Sequence, residues 1–267
     1  MWIDTHCHLD AHEFGADAPA VAARSRQAGV SMIVIPAVER ANFDAVALLA
    51  ATAPNASYAL GIHPVCVPQA GDADLAALRA CVEAALADPR FVAIGEIGLD
   101  FFIPMLCEPA MRDKQIHFFR EQLRIARDFN LPVLMHVRRS QDQVLKHVRQ
   151  VRPAGGIAHA FNGSFQQAQA YIDLGFKLGF GGAMTYARAL QIRRLAATLP
   201  MGAIVLETDA PDIAPAWVHP ERNSPEQLPA IGAVLAELRA MTPQAAAAAT
   251  SRNALAALPR LAALLPA

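Results

Sequence analysis

The sequence predicts a single (β/α)8 barrel spanning 1–267, with extra helices at its C-terminal end. Three observations carry that expectation. The chain's 267 residues suit one large α/β domain. Eight short apolar, β-branched-rich runs recur along it, and each is followed by a longer stretch with helical period. Continuous apolar strands alternating with helices imply a parallel sheet buried on both faces, and eight such units imply closure.

In chain order, the strand runs are 2–5, 31–36, 57–61, 91–95, 133–137, 156–160, 176–180 and 203–207. The helical stretches between and after them are 18–28, 43–53, 75–86, 111–129, 141–150, 166–174, 187–199 and 225–240. Asn42, Asp72 and Ser164 are expected as N-caps, Gly29 and Gly175 as C-terminal stops, and Pro225 in a first turn. The tail 243–267 reads as one or two Ala/Leu helices broken at Pro259 and packed on the outside of the barrel.

The composition narrows the classes. At 54% hydrophobic and 18% charged residues, with a mean hydropathy of +0.25, the chain is globular rather than disordered. No run reaches the roughly eighteen apolar residues of a membrane span, and no secretory signal stands at the start, so a cytoplasmic protein without membrane association is expected. Cys7, Cys66, Cys81 and Cys107 form no Cys-X-X-Cys pair, which argues against a disulfide framework or a thiolate zinc site. A net charge of −1 gives no global attraction to nucleic acid, so any such contact must be local and transient. Nothing points to an obligate protein partner.

The polar residues gather at the C-terminal ends of these strands, where barrel active sites form. His6 and His8 follow the first strand with side chains on one side of an extended backbone. His63 follows the third, Glu96 and Asp100 the fourth, His136 ends the fifth, His159 the sixth, and Glu207 and Asp209 the eighth. Any one of these histidines reads equally as a hydrogen-bonded core residue. Together, four histidines and two carboxylates suit two divalent transition ions such as Zn, Mn or Ni. Glu96 lies in an apolar run with no Lys or Arg close behind it, so a metal is its simplest partner, and it is the natural bridge between two ions. Asp209 is placed to serve as the base beside a metal-activated water, with Glu207 supporting it. His63 reads either as a donor to a substrate oxygen or as a cap of the turn 61–64. Arg138 and Arg139 read either as a phosphate contact or as an exposed pair opening a helix. His12, His117, His147 and His219 lie in helices or loops and are read as non-ligands.

With those residues in hand, the sequence resembles the TatD family of metal-dependent hydrolases, within the amidohydrolase-type barrel superfamily. The carriers are Asp4-Thr5-His6-Cys7-His8, Gly61-Ile62-His63-Pro64, Gly95-Glu96-Ile97-Gly98-Leu99-Asp100, Asn130-Leu131-Pro132-Val133 with His136, His159-Ala160-Phe161-Asn162-Gly163-Ser164, and Glu207-Thr208-Asp209-Ala210-Pro211. The resemblance implies that His6, His8, Glu96 and Asp209 hold one ion and Glu96, His136 and His159 the other. It also implies deoxyribonuclease or 3′-exonuclease activity and a substrate contact at His63. The chain departs from the family pattern in the apolar loop 101–107, where relatives often carry Tyr and Arg, in Val137 before Arg138, and in Ala160 and Asn162.

The expected function is therefore a phosphodiesterase of deoxyribonuclease or 3′-exonuclease type. Two divalent ions (Zn, Mn, Mg or Ni) would activate water, and DNA or a small phosphodiester would be the transient substrate. The alternative is an amidohydrolase or lactonase on the same barrel. Such sites often bridge their metals with a carboxylated lysine, and Lys114, Lys146 and Lys177 all lie away from the fourth strand's end. A metal-holding protein without turnover is a third reading, opposed by Asp209 as a proton-handling group.

Overall fold

The computed structural model describes residues 1–265. Its strands are β1 (Trp2–Asp4), β2 (Val30–Pro36), β3 (Ala56–Leu60), β4 (Phe91–Asp100), β5 (Val133–Arg138), β6 (Gly156–Ala158), β7 (Phe176–Phe180) and β8 (Ile204–Leu206). They pair in parallel in sequence order. The seam between β8 and β1 closes through Thr5 N donating to Leu206 O (3.1 Å) and Asp209 N donating to His6 O (2.9 Å).

The surrounding helices are α1 (Ala18–Gln27), α2 (Phe43–Thr52), α3 (Asp72–Ala85), α4 (Pro109–Asp128), α5 (Gln141–Val151), α6 (Phe165–Asp173), α7 (Leu190–Thr198) and α8 (Leu228–Leu238). Ser164 caps α6 as expected: its hydroxyl accepts from Gln167 N, and the Gln167 side chain accepts from Ser164 N. Asn42 stands at the N-cap position of α2 but its side chain does not bond into that helix, and the α3 cap is Gly71 rather than Asp72. Asn42 Oδ1 accepts from Val38 N and Glu39 N, ahead of α2, while Asp72 is already helical and Asp74 supports the cap by accepting from Gly71 N at 2.8 Å. The stretch expected as one helix from Pro225 is a 3-10 turn, Pro225–Gln227, followed by α8. In a continuous helix, the ring of Pro229 would clash with the carbonyl four residues earlier.

Two further differences bear on the site. β4 runs on to Asp100, so Glu96 lies inside a strand whose ten residues are all buried. Gly98 permits the close approach of β5: its φ is +155°, and a Cβ there would stand 1.9 Å from His136 O. The tail, in turn, does two things: Ala246 and Ala247 of its first half pack in the outer layer beside α8, as expected, and its second half plugs the barrel's base. From α9 (Pro243–Ala257) into the 3-10 turn Pro259–Leu264, Ala254, Ala257, Leu258 and Leu261 join the inward-facing Ile3, Met32, Val34, Ala93, Leu134, Ile157 and Val205. Arg260 fastens the plug by donating to the carbonyls of Leu86, Asp88 and Phe91, and Asn253 by donating to those of Met201 and Ile204. Among the described residues, the plug covers the base, and the end that carries the histidines lies opposite it. No helix among the described residues is long and apolar enough to cross a membrane.

Candidate metal centre

Glu96 organises the mouth. Its carboxylate is only 1% exposed. Oε2 faces His6 Nε2 (3.2 Å) and His8 Nε2 (3.3 Å), while Oε1 faces His136 Nδ1 (3.1 Å) and His159 Nε2 (2.8 Å). Burial works to raise its pKa, but the imidazoles of His63, His159 and His6 outweigh it and hold the carboxyl well below the usual range. Asp209 Oδ1 completes the first group at 3.7 Å from His6 Nε2 and 3.8 Å from His8 Nε2, and stands 3.9 Å from His159 Nδ1.

These spacings test whether the residues fit a metal. His6 Nε2 and His8 Nε2 converge to 3.3 Å, and His159 Nε2 and His136 Nδ1 to 3.4 Å. In a tetrahedral zinc site with bonds near 2.0–2.1 Å, adjacent donor atoms lie roughly 3.3 Å apart. Both nitrogen pairs therefore sit at the edge length of one cation's coordination shell, and the donor set of imidazole and carboxylate is the one such cations take.

The hydrogen bonds behind the cluster set the tautomers. His136 Nε2 lies 3.2 Å from Asp100 Oδ2; donating there, it leaves the Nδ1 lone pair for the centre. His63 is arranged the opposite way. Its Nδ1 accepts from Val65 N (3.1 Å), so Nε2 carries the proton and points it at Glu96 Oε1, 3.3 Å away. Burial lowers its pKa to about 4, keeping the ring neutral. His63 is thus a donor aimed into the mouth, although it lies close enough to Glu96 and His136 to form a ligand-like group with them.

A family model described as TatD related DNase matches residues 3–259. The chain belongs to the TatD family. YjjV of Escherichia coli (strain K12), described as an uncharacterized metal-dependent hydrolase, is 41% identical over 239 residues, 89% of this chain and 90% of the relative. The crystal structure of YjjV matches with a TM-score of 0.90 at 38% identity, covering 97% of this chain and 98% of that one. The 3′-5′ ssDNA/RNA exonuclease TatD of Salmonella typhimurium is 32% identical over 258 residues, 94% of this chain and 96% of the relative. This TatD-family chain is accordingly a metal-dependent hydrolase.

The structure brings His6, His8, Glu96, His136, His159, Asp209 and His63 together in this TatD-type mouth. Arg138 stands at its rim, with Nη1 3.9 Å from Asp100 Oδ2. His12, His117, His147 and His219 lie away from it: His12 pairs with Glu13, His117 with Asp72, and His147 sits on α5. Two supporting carboxylates gain roles that the sequence left unassigned. Asp4 spans the barrel seam, accepting from Thr208 N (2.9 Å), Thr208 Oγ1 (2.6 Å) and His6 N (3.3 Å), so it positions the backbone on both sides of the first ligand group. Asp100 orients His136. The available signal was parity: Asp4 alternates with His6 and His8, and Asp100 with Glu96, along extended backbone. Glu207 accepts from Ala160 N beside His159, and Gly179 makes room for it, since a Cβ there would lie 2.0 Å from Oε2. Above the cluster opens a cavity of about 400 Å³ lined by His8, His63, Glu96, His136, Arg138 and Asp209, among others.

Proposed function

We propose that the chain works as one TatD-like unit over 1–267, a phosphodiesterase of deoxyribonuclease or 3′-exonuclease type acting transiently on DNA or a small phosphodiester. His6, His8, Glu96 and Asp209 would hold one divalent ion, and Glu96, His136 and His159 a second. The observation that carries this reading is the division of Glu96: Oε2 faces His6 and His8, and Oε1 faces His136 and His159, with His63 donating to it from the side. Zn, Mn, Mg or Ni bound there would supply Lewis acidity and lower the pKa of a water. Asp209, a catalytic residue beside both histidine pairs, orients that water and takes its proton. His63 donates Nε2–H to a phosphoryl oxygen, and Arg138 meets the phosphate from the rim.

The amidohydrolase or lactonase reading finds no lysine to support it. Lys114 Nζ donates to Pro68 O and Lys177 Nζ to Gly202 O, and Lys146 is exposed on α5, so none of the three is among the residues lining the cavity over Glu96. The test is Glu96→Gln, with metal content measured alongside hydrolysis of bis(p-nitrophenyl) phosphate, oligonucleotides, amides and lactones. Loss of an outer partner of a metal ligand costs about 10–100-fold, so loss of the bridge is expected to remove at least one ion and to cost more than about a hundredfold in diester turnover. Two retained ions with full turnover would overturn the bridging role, and activity confined to amides or lactones would overturn the choice of substrate.

A further inference from the structure

The apolar loop after Asp100 has no part in the chemistry above, yet it is held firmly at the rim. Asp100 Oδ1 accepts from Phe102 N (2.8 Å) and Ile103 N (3.1 Å). Phe102 is 43% exposed, and the guanidinium of Arg138 lies 3.8 Å from its ring centroid and that of Arg139 4.6 Å. Arg139 has a φ of +54°, a left-handed turn just past the end of β5. The ring's negative face attracts both guanidiniums and so holds two otherwise flexible cations in place.

Outward from Arg138 runs a groove of about 530 Å³ whose lining includes Phe102, Arg138, Arg139, Gln141, Asn162 and Gln191. No carboxylate lines it; Arg138 still faces Asp100 Oδ2 at 3.9 Å from outside the groove, while Arg139 is in no ion pair among the described residues and is left for an outside anion. Gln141 is 8% exposed, and neither its amide nitrogen nor its amide oxygen has a hydrogen-bond partner. A buried amide in that condition is a standing cost that a polar ligand relieves. Arg138 also borders the cavity over Glu96, so the groove and that cavity are neighbours on either side of its side chain.

We propose that this groove is a subsite for the nucleotide unit next to the scissile phosphodiester, with Arg139, steadied on Phe102, taking that unit's phosphate while Arg138, stacked on the same ring, stays with the scissile one. The inference rests on the phosphodiesterase reading and sharpens it. A substrate presenting one diester at the metals and a second anion beside it is an oligonucleotide, and carboxamides next to guanidiniums suit base edges and sugar hydroxyls. Phe102 is in this scheme a positioning residue.

The metal-loaded enzyme and its Phe102→Ala, Phe102→Trp and Arg139→Gln variants would be compared on bis(p-nitrophenyl) phosphate, which is too short to fill the groove, and on oligothymidylates of increasing length. Binding of a fluorescein-labelled phosphorothioate oligothymidylate would be followed in parallel by anisotropy against salt. Phe102→Ala and Arg139→Gln are each expected to lower the ratio of kcat/KM on oligonucleotide to that on the small diester by about tenfold, chiefly through KM. Arg139→Gln should also reduce the slope of log affinity against log salt by about one, and Phe102→Trp, which keeps a ring face, should restore the ratio. An equal fall on both substrates, or oligonucleotide affinity within twofold of wild type, would overturn the subsite. If the wild type cleaved no diester, the catalytic reading would fall instead, and the anisotropy series would still decide the groove, for or against.

Discussion

Replacing Asp100 by Asn tests the support given to His136 and, through it, to the second ion proposed above. One oxygen of Asp100 accepts from the loop N–H groups of Phe102 and Ile103, and the other faces His136 Nε2 at 3.2 Å. His136 and those two N–H groups hold its carboxyl down to about 2, against the burial that would raise it, so it is ionised at neutral pH. Asparagine keeps a carbonyl oxygen for the loop but sets an N–H against His136 Nε2. The imidazole must then either leave an unfavourable contact or move its proton to Nδ1, the atom that faces Glu96 Oε1 and is proposed to hold the ion. Outer partners of this kind are worth about 10–100-fold in metal affinity, or about 1.4–2.8 kcal/mol. Chelator-buffered titration of bound metal, with small-diester turnover measured at each free concentration, should show one ion weakened by that factor, the other little changed, and rate recovered at high metal. Two ions bound as in the wild type would refute the role given to Asp100.

Other outcomes follow from the same contacts. Leu261 is fully buried in the plug, so Leu261→Ala should cost about 2–5 kcal/mol in urea unfolding; a change below about 1 kcal/mol would mean that the plug is dispensable. His147 on α5 has its pKa lowered by burial from the ordinary 6.5. Because the unfolded chain takes up that proton first, stability should fall as pH drops below 6.5, and His147→Leu should shallow that decline in pH-dependent melting curves. Joining the ends of five strands, bound metal at a hundredfold its Kd should add about 2.7 kcal/mol of stability, so chelation should lower the Tm, and an unchanged melting curve would argue against metal binding in the folded state.

Strand and helix order was legible because periodicity is local: each apolar run is a strand wherever the next helix lies. That His6, His8, Glu96, His136, His159 and Asp209 meet at one mouth was legible for the same reason, since a strand's end is visible in sequence and closure brings strand ends together. The limits of local reading show in β4. Nothing near Gly95 announces that the strand continues to Asp100, because the continuation depends on pairing with β5 through Gly98, where a side chain would strike His136 O.

What the sequence alone determined, then, was the barrel's order and the identity of the groups at its mouth. The tertiary structure decided the contacts that join distant segments. Asp4 meets Thr208 across 204 positions, and Arg260 reaches Phe91 across 169, separations over which no periodicity carries information. It also decided the proton on His63, placed by Val65 N, and the stacking of Arg138 and Arg139 on Phe102. Hydrogen-bond direction and ring contact depend on distances of a few ångströms between side chains, and only the closed barrel sets those.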